Sequence, residues 1–127
     1  MLLAAVRDLL FRSKIDAAAR RLGVEVAFAP RDVPLSAVAR ERRPALLLAD
    51  LGEPGVMDEL RAILAERPAS RVVGYLGHLR TDLRDEARGL GVEEVLTRGQ
   101  LAASLDEVLS RAVGDAREPF PAGRPLT

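Results

Sequence analysis

The stretch Ala45-Leu46-Leu47-Leu48-Ala49-Asp50 is the most apolar run of the chain, and it stops at a carboxylate. An apolar run without alternation is typical of a strand buried on both faces, as in parallel sheets. Pro44 ends the preceding segment, and residues 51–55 (LGEPG) have the composition of a loop. The stretch therefore predicts the central strand of a parallel sheet, with Asp50 at its carboxyl end.

Outward from this strand, short apolar runs alternate with helical stripes in both directions. The helical stripes carry apolar residues at spacings of three and four, and each crossover is long enough for a right-handed βαβ unit. The alternation predicts an α/β fold, a flavodoxin-like (βα)5 three-layer sandwich around a five-stranded parallel sheet. Further strands are predicted at 2–6, 24–28, 71–75 and 92–96, and helices at 11–22, 35–42, 56–64, 79–90 and 101–112.

Length and composition restrict the organisation and the function. The periodic pattern predicts one domain over residues 1–113, and residues 114–127, which contain three prolines, are expected to form a flexible tail. Nineteen basic residues balance nineteen acidic ones, which argues against a nucleic-acid partner. The chain has no cysteine and one histidine, so thiolate and multi-histidine metal sites are excluded. No apolar run is long enough to span a bilayer, so we expect a cytoplasmic protein without a membrane partner.

Two carboxylates follow strands that are expected to be neighbours. Asp8 ends the first strand and Asp50 ends the third, and ligands of open α/β sheets bind beyond the carboxyl ends of the strands. Paired carboxylates in one crevice could hold Mg²⁺ through their oxygens. Aspartate is equally a common turn residue and helix N-cap. Both interpretations remain open at this stage.

The layout of residues 1 to about 113 resembles the receiver domain of two-component response regulators. Asp50 is followed four residues later by Pro54, a spacing similar to that of the phosphoacceptor loop. Arg7 and Asp8 stand where receivers carry an acidic pair, and Arg98 stands where they carry a lysine. The resemblance implies that Asp50 is the phosphoacceptor and that Asp8 and Asp50 hold Mg²⁺.

Several positions depart from the receiver pattern. Arg7 places a fixed cation where the first acidic residue is expected, and Leu76 or Gly77 stands where receivers carry a hydroxyl residue. Thr97 offers a hydroxyl nearby in the sequence, and Arg98 differs from lysine in shape and reach. Phosphoryl transfer depends on metal, charge and positioning. These departures predict a degenerate receiver without catalytic residues and without a cofactor.

Two classes of function follow. The first is a stand-alone receiver-like signalling module, not an enzyme, that contacts a partner protein or a second copy of itself. That contact would use the fourth and fifth helices, a face that includes Arg80, Arg84, Asp85, Arg88, Asp106, Glu107 and Arg111. The alternative is a working receiver that accepts a phosphoryl group on Asp50, with Mg²⁺ held by Asp8 and Asp50 and assisted by Glu53.

The charges at the strand ends predict one local contact. Two carboxylates at neighbouring strand ends repel each other, and a guanidinium relieves that repulsion with paired donors of fixed charge. We therefore expect Arg7 or Arg98 to pair with Asp8 or Asp50 and to take over the charge-balancing role of Mg²⁺.

Overall fold

The computed structural model describes residues 1–78 and 80–114. The strands are β1 (Leu2–Ala5), β2 (Val26–Phe28), β3 (Leu46–Asp50), β4 (Arg71–Leu76) and β5 (Glu94–Thr97). The helices are α1 (Leu9–Leu22), α2 (Leu35–Arg42), α3 (Val56–Ala65), α4 (Thr81–Leu90), α5 (Arg98–Ala103) and α6 (Leu105–Gly114). All strand pairs are parallel, and the sheet has the order β2-β1-β3-β4-β5, which confirms the predicted flavodoxin-like fold.

The sheet is buried on both faces, which explains why β3 is apolar without alternation. Successive residues of a strand point to opposite faces. Leu48 belongs to the buried cluster that includes Ile15 of α1 and Leu109 of α6, whereas Leu47 belongs to the cluster that includes Leu60 of α3. The sheet is therefore the middle of three layers.

The boundaries of the predicted strands are confirmed to within one or two residues. β3 extends one residue further than predicted and includes Asp50, which is in register with Tyr75 of β4. β2 and β5 each begin two residues later than predicted, at Val26 and Glu94. The backbone of Asp50 is therefore part of the sheet and not of the loop that follows.

The predicted fifth helix was wrong in its extent, since two helices occupy its place. Thr97 and Gln100 form a capping box, so α5 begins directly after β5. At Ser104, the backbone N–H donates to the carbonyls of Gln100 and Leu101, and the hydroxyl donates to that of Gln100 as well. The backbone of Ser104 has φ −118° and ψ 23°, outside the helical range, and this residue separates α5 from α6.

Two predictions concern residues outside the described ranges. The predicted helix at 79–90 includes Leu79, which is not described, and α4 begins at Thr81. Residues 115–127 of the predicted tail are not described either. No helix within residues 1–78 and 80–114 combines the length and the apolar character needed to cross a membrane.

Candidate functional site

Asp8 is both the N-cap of α1 and part of the crevice at the strand ends. Its Oδ1 accepts hydrogen bonds from the backbone N–H groups of Leu10 (3.0 Å) and Phe11 (3.3 Å). Its Oδ2 accepts a hydrogen bond from Nη1 of Arg98 at 2.6 Å. The two interpretations of Asp8 are thus compatible, because each oxygen of the carboxylate has its own partner.

Arg98 connects α5 to the start of α1. Its guanidinium lies 5.6 Å from the ring centroid of Phe11 and 6.0 Å from that of Tyr75. The predicted pairing of a guanidinium with a site carboxylate is confirmed for Arg98 and Asp8. The backbone N–H of Phe11, followed by the guanidinium of Arg98, lowers the pKa of the Asp8 carboxyl, so this ion pair persists at neutral pH.

Asp50 ends the neighbouring strand β3, but the environment of its carboxylate differs from that of Asp8. Its Oδ1 accepts a hydrogen bond from the backbone N–H of Gly52 at 2.9 Å. Burial raises the pKa of the Asp50 carboxyl, and the negative charges of Glu53 and Asp8 raise it further, against the opposing effect of the Gly52 bond and Arg98. Among the described residues, no cation forms an ion pair with Asp50.

Arg7 does not take part in the pairing that was predicted for it. Its Nε lies 3.4 Å from Oε2 of Glu53, so Arg7 forms an ion pair with the loop after β3 and not with Asp8 or Asp50. β1 ends at Ala5, so Arg7 lies in the segment between β1 and α1. Arg7, Glu53 and Pro54 line a cavity of about 380 Å³ that continues between the β2–α2 loop and the start of α3.

The predicted site residues therefore fall into separate groups. Asp8, Gly77 and Arg98 line a groove of about 360 Å³ between α1 and α5. The cavity that contains Arg7 has none of these three residues in its wall. The Thr97 hydroxyl accepts the backbone N–H of Gln100, so it is committed to capping α5. The charged side chains at the strand ends thus form two separate ion pairs, Arg98 with Asp8 and Arg7 with Glu53.

Tyr75 is a residue of this site that the sequence analysis missed. It is fully buried, and its ring centroid lies 5.3 Å from that of Phe11, beneath the guanidinium of Arg98. Within the described residues, its hydroxyl has no hydrogen-bond partner. Burial raises the pKa of the Tyr75 phenol, and the charge of Asp50 raises it further. The available signal was a lone tyrosine at the end of an apolar strand.

Comparisons with known proteins identify the fold. No family model matches the chain, and no curated protein matches it. Several solved structures do match over nearly its whole length. The chain has the fold of a response regulator receiver domain. The chemotaxis protein CheY4 of Vibrio cholerae is 16% identical with a TM-score of 0.73, and the match covers 87% of this chain and 96% of that one.

Two further receiver structures are equally similar. A signal receiver domain from Bermanella marisrubri is 18% identical with a TM-score of 0.72, covering 88% of this chain and 96% of that one. A response regulator from Burkholderia pseudomallei, whose structure holds a phosphorylated aspartic acid and a calcium ion, is 15% identical with a TM-score of 0.72. That match covers 96% of this chain and 74% of the other. At these identities the likeness shows the receiver fold alone.

The receiver fold implies a divalent cation at the strand ends, and the arrangement of side chains does not fit one. Both oxygens of Asp8 are already engaged, one of them by the cation Arg98. Among residues 1–78 and 80–114, no three acidic or histidine side chains cluster closely enough to hold a metal ion. Mg²⁺ strongly prefers oxygen ligands in a regular octahedron. The guanidinium of Arg98 lies where such an ion would have to compete for Asp8.

Proposed function

We propose that this protein is a receiver-like signalling module that acts through protein–protein contact, is not efficiently phosphorylated and is not itself an enzyme. The observation that carries the proposal is the ion pair between Arg98 and Asp8. An arginine is protonated at every physiological pH, so its charge cannot be withdrawn as a dissociating metal ion can. The module would therefore stay in one electrostatic state unless a partner changes it.

The requirements of phosphoryl transfer, compared with the surroundings of Asp50, support this proposal. The reaction depends almost entirely on metal ions, charge neutralisation and the positioning of groups around the transferred phosphoryl. Arg98 supplies one positive charge, but the guanidinium donates to Asp8 and stacks near two rings, and it forms no ion pair with Asp50. Asp50, the phosphoacceptor that the resemblance implies, is thus without an ion-paired cation among the described residues that would neutralise an incoming phosphoryl group.

The predicted contact face is only partly continuous. Arg84 pairs with Asp85 on α4 at 3.4 Å, and Arg111 of α6 reaches Glu94 at 2.8 Å, so these charges lie on neighbouring elements. Asp106 instead pairs with Arg21 of α1, which places it on the other side of α6. We propose that the face formed by α4, β5 and the Arg111 side of α6 meets the partner, because alternating charges favour specific polar contacts.

The test is a titration with Mg²⁺ that follows thermal stability. A ligand that binds only the folded state stabilises it by RT ln(1 + [L]/Kd). We expect millimolar Mg²⁺ to leave the melting temperature of the wild type nearly unchanged. Arg98→Ala should respond with a measurable rise, because Asp8 is then freed of the guanidinium. Arg20→Ala is the matched control, since within residues 1–78 and 80–114 Arg20 pairs with Asp16 alone, away from the N-terminal end of α1 where Asp8 lies.

One observation favours the alternative of a working receiver. Among the described residues, the backbone N–H of Gly52 donates to one oxygen of Asp50, and no hydrogen bond engages the other oxygen, which is therefore free to act as a nucleophile. Incubation with acetyl phosphate and Mg²⁺, followed by mass spectrometry, separates the two functions. A stable adduct on the wild type that disappears in Asp50→Asn, together with strong stabilisation of the wild type by Mg²⁺, would overturn the proposal.

A further inference from the structure

Two turns of the chain repeat the tripeptide Arg-Pro-Ala, at residues 43–45 and 67–69. The first turn leads from α2 into β3, and the second leads from α3 into β4. In both turns the arginine is followed by a proline, which cannot continue a helix. Arg43 and Arg67 therefore hold corresponding places before two neighbouring strands, at the opposite end of β3 from Asp50.

Arg43 and Arg67 adopt a backbone conformation that arginine rarely takes. Their φ angles are 46° and 51°, in the left-handed region, and among the described residues no other residue except glycine has a positive φ. At the corresponding ends of α1 and α4, the left-handed residues are Gly23 and Gly91. Glycine takes this conformation without strain, whereas a residue with a Cβ does not. The two arginines therefore occupy their positions at a conformational cost.

Contacts on both sides hold the two turns next to each other. Before the turns, Arg40 of α2 donates to both carboxylate oxygens of Glu66, with Nη2 at 2.6 Å from Oε2. After the arginines of the turns, the hydroxyl of Ser70 donates to the carbonyl of Pro44. Both of these arginines lie in the chain between the two contacts. They consequently belong to one surface of the molecule.

No contact within the described part of the chain accounts for the side chains of this surface. Arg42, Arg43 and Arg67 are exposed, and in residues 1–78 and 80–114 their guanidinium groups have neither an ion pair nor a hydrogen bond. Glu66, next to Arg67 in the chain, is already paired with Arg40. Guanidinium groups stay charged at every physiological pH. The three arginines at positions 42, 43 and 67 form a surface that we call the basic patch.

We propose that the basic patch binds an acidic segment of a partner protein, with Arg43 and Arg67 each pairing with a carboxylate. A guanidinium matches a carboxylate with two parallel hydrogen bonds. Glu41 and Glu66 flank the arginines, and the whole chain has no net charge, so separate carboxylates suit the patch better than a continuous row of phosphates. The basic patch includes no part of α4, β5 or α6, so this contact is distinct from that of the proposed function.

The test is a titration of the ¹⁵N-labelled full chain with acetylated hexaglutamate, followed by NMR. At about 0.1 M salt, charges more than about 10 Å apart are largely screened. We expect the backbone N–H signals of Arg43 and Arg67 to shift and to give a dissociation constant. In Arg43→Gly/Arg67→Gly this constant should rise roughly tenfold, because two charge-assisted pairs are lost. Arg43→Lys/Arg67→Lys keeps the charge without the paired donors and should give an intermediate constant.

The matched control removes two cations elsewhere. Lys14 and Arg31 are exposed, have no ion pair among the described residues, and line the cavities near the carboxyl ends of the strands. Lys14→Gln/Arg31→Gln should leave the dissociation constant within about twofold of the wild type, as expected for distant sites. Urea unfolding of Arg43→Gly/Arg67→Gly supplies a second readout. Its midpoint should not fall, because glycine relieves the left-handed conformation.

The inference is overturned if hexaglutamate leaves the signals of Arg43 and Arg67 unshifted, or if the glycine variant and the control lose the same affinity. Tighter binding of hexauridylate would overturn it in favour of a nucleic acid. A lower urea midpoint for the glycine variant would also overturn it, because the arginines would then serve the stability of the fold itself. None of these measurements involves Mg²⁺ or acetyl phosphate, so the proposed function can fail independently.

Discussion

Gly74 in β4 makes room for the side chain that directly follows Asp50. A Cβ at Gly74 would lie 2.8 Å from Cγ, Cδ1 and Cδ2 of Leu51. Leu51 is 2% exposed, and its backbone N–H donates to the carbonyl of Tyr75 at 2.9 Å. Leu51 thus turns into the core over the glycine, and this close packing sets where β3 ends and where the carboxylate before it lies.

Gly74→Ala should therefore destabilise the protein, although alanine is a better strand residue than glycine. The new methyl group overlaps three atoms of a side chain that is held in the cluster containing Val56 and Leu76. Overpacking of a filled core costs about 1–3 kcal/mol. We expect a loss of about 2 kcal/mol, because the overlap includes Cγ and not only a flexible chain end. The melting temperature should fall by roughly 8 °C.

The assay is urea unfolding followed by circular dichroism, with an unchanged m-value as the sign that only stability has changed. Gly89→Ala is the control, since an added Cβ there meets no atom within 4 Å in helix α4, and the change should stabilise by about 0.5–1 kcal/mol. Leu51→Ala should cost much less in the Gly74→Ala background than alone. Equal stability of Gly74→Ala and Gly89→Ala would refute the reasoning.

Two further predictions follow from the titrating groups of the site. Asp50→Asn should raise the melting temperature at pH 7, because the raised pKa of Asp50 means that its ionised carboxyl opposes folding. Thermal scans at decreasing pH should show this gain disappear as the wild-type Asp50 becomes protonated. Tyr75, whose pKa is raised in the folded state by burial, adds no pH dependence to the stability below about pH 10, and the stability falls as the pH rises further because the unfolded chain ionises first. Its phenolate absorbance should therefore appear together with unfolding, and a phenolate that forms near pH 10 in a native protein would contradict the burial of this hydroxyl.

The fold and one site contact could be predicted from the sequence because both depend on short-range patterns. The unbroken apolar run before Asp50 indicates a strand covered on both faces, and β3 is such a strand. The pairing of Arg98 with Asp8 follows from an arginine and an aspartate that parallel strands bring to one edge of the sheet. Each of these two predictions needs only the spacing of the apolar residues and the position at which the strand ends.

The remaining details of the fold and the site depend on alternatives that the sequence pattern does not distinguish. Leu101 and Leu105 are spaced like residues of one helix, yet the backbone of Ser104 between them leaves the helical range, with φ −118°. Arg7 could have paired with any of several carboxylates near the strand ends, and in the structure it pairs with Glu53. The burial of Tyr75 depends on packing between distant elements, which a single strand pattern does not contain.

The two carboxylates at the strand ends differ in pKa and in ion pairing, so the two halves of the crevice are not equivalent. Asp8 has a lowered pKa and a cation of its own, whereas Asp50 has a raised pKa and no ion pair among the described residues. Tyr75, beside Asp50, has a donor without an acceptor. The ionised carboxyl of Asp50 opposes folding, because its pKa is raised mainly by burial. A ligand or partner shifts an equilibrium only by its differential affinity for the two states. A partner that neutralises Asp50 would therefore gain affinity that a contact with Asp8, already paired with Arg98, would not supply.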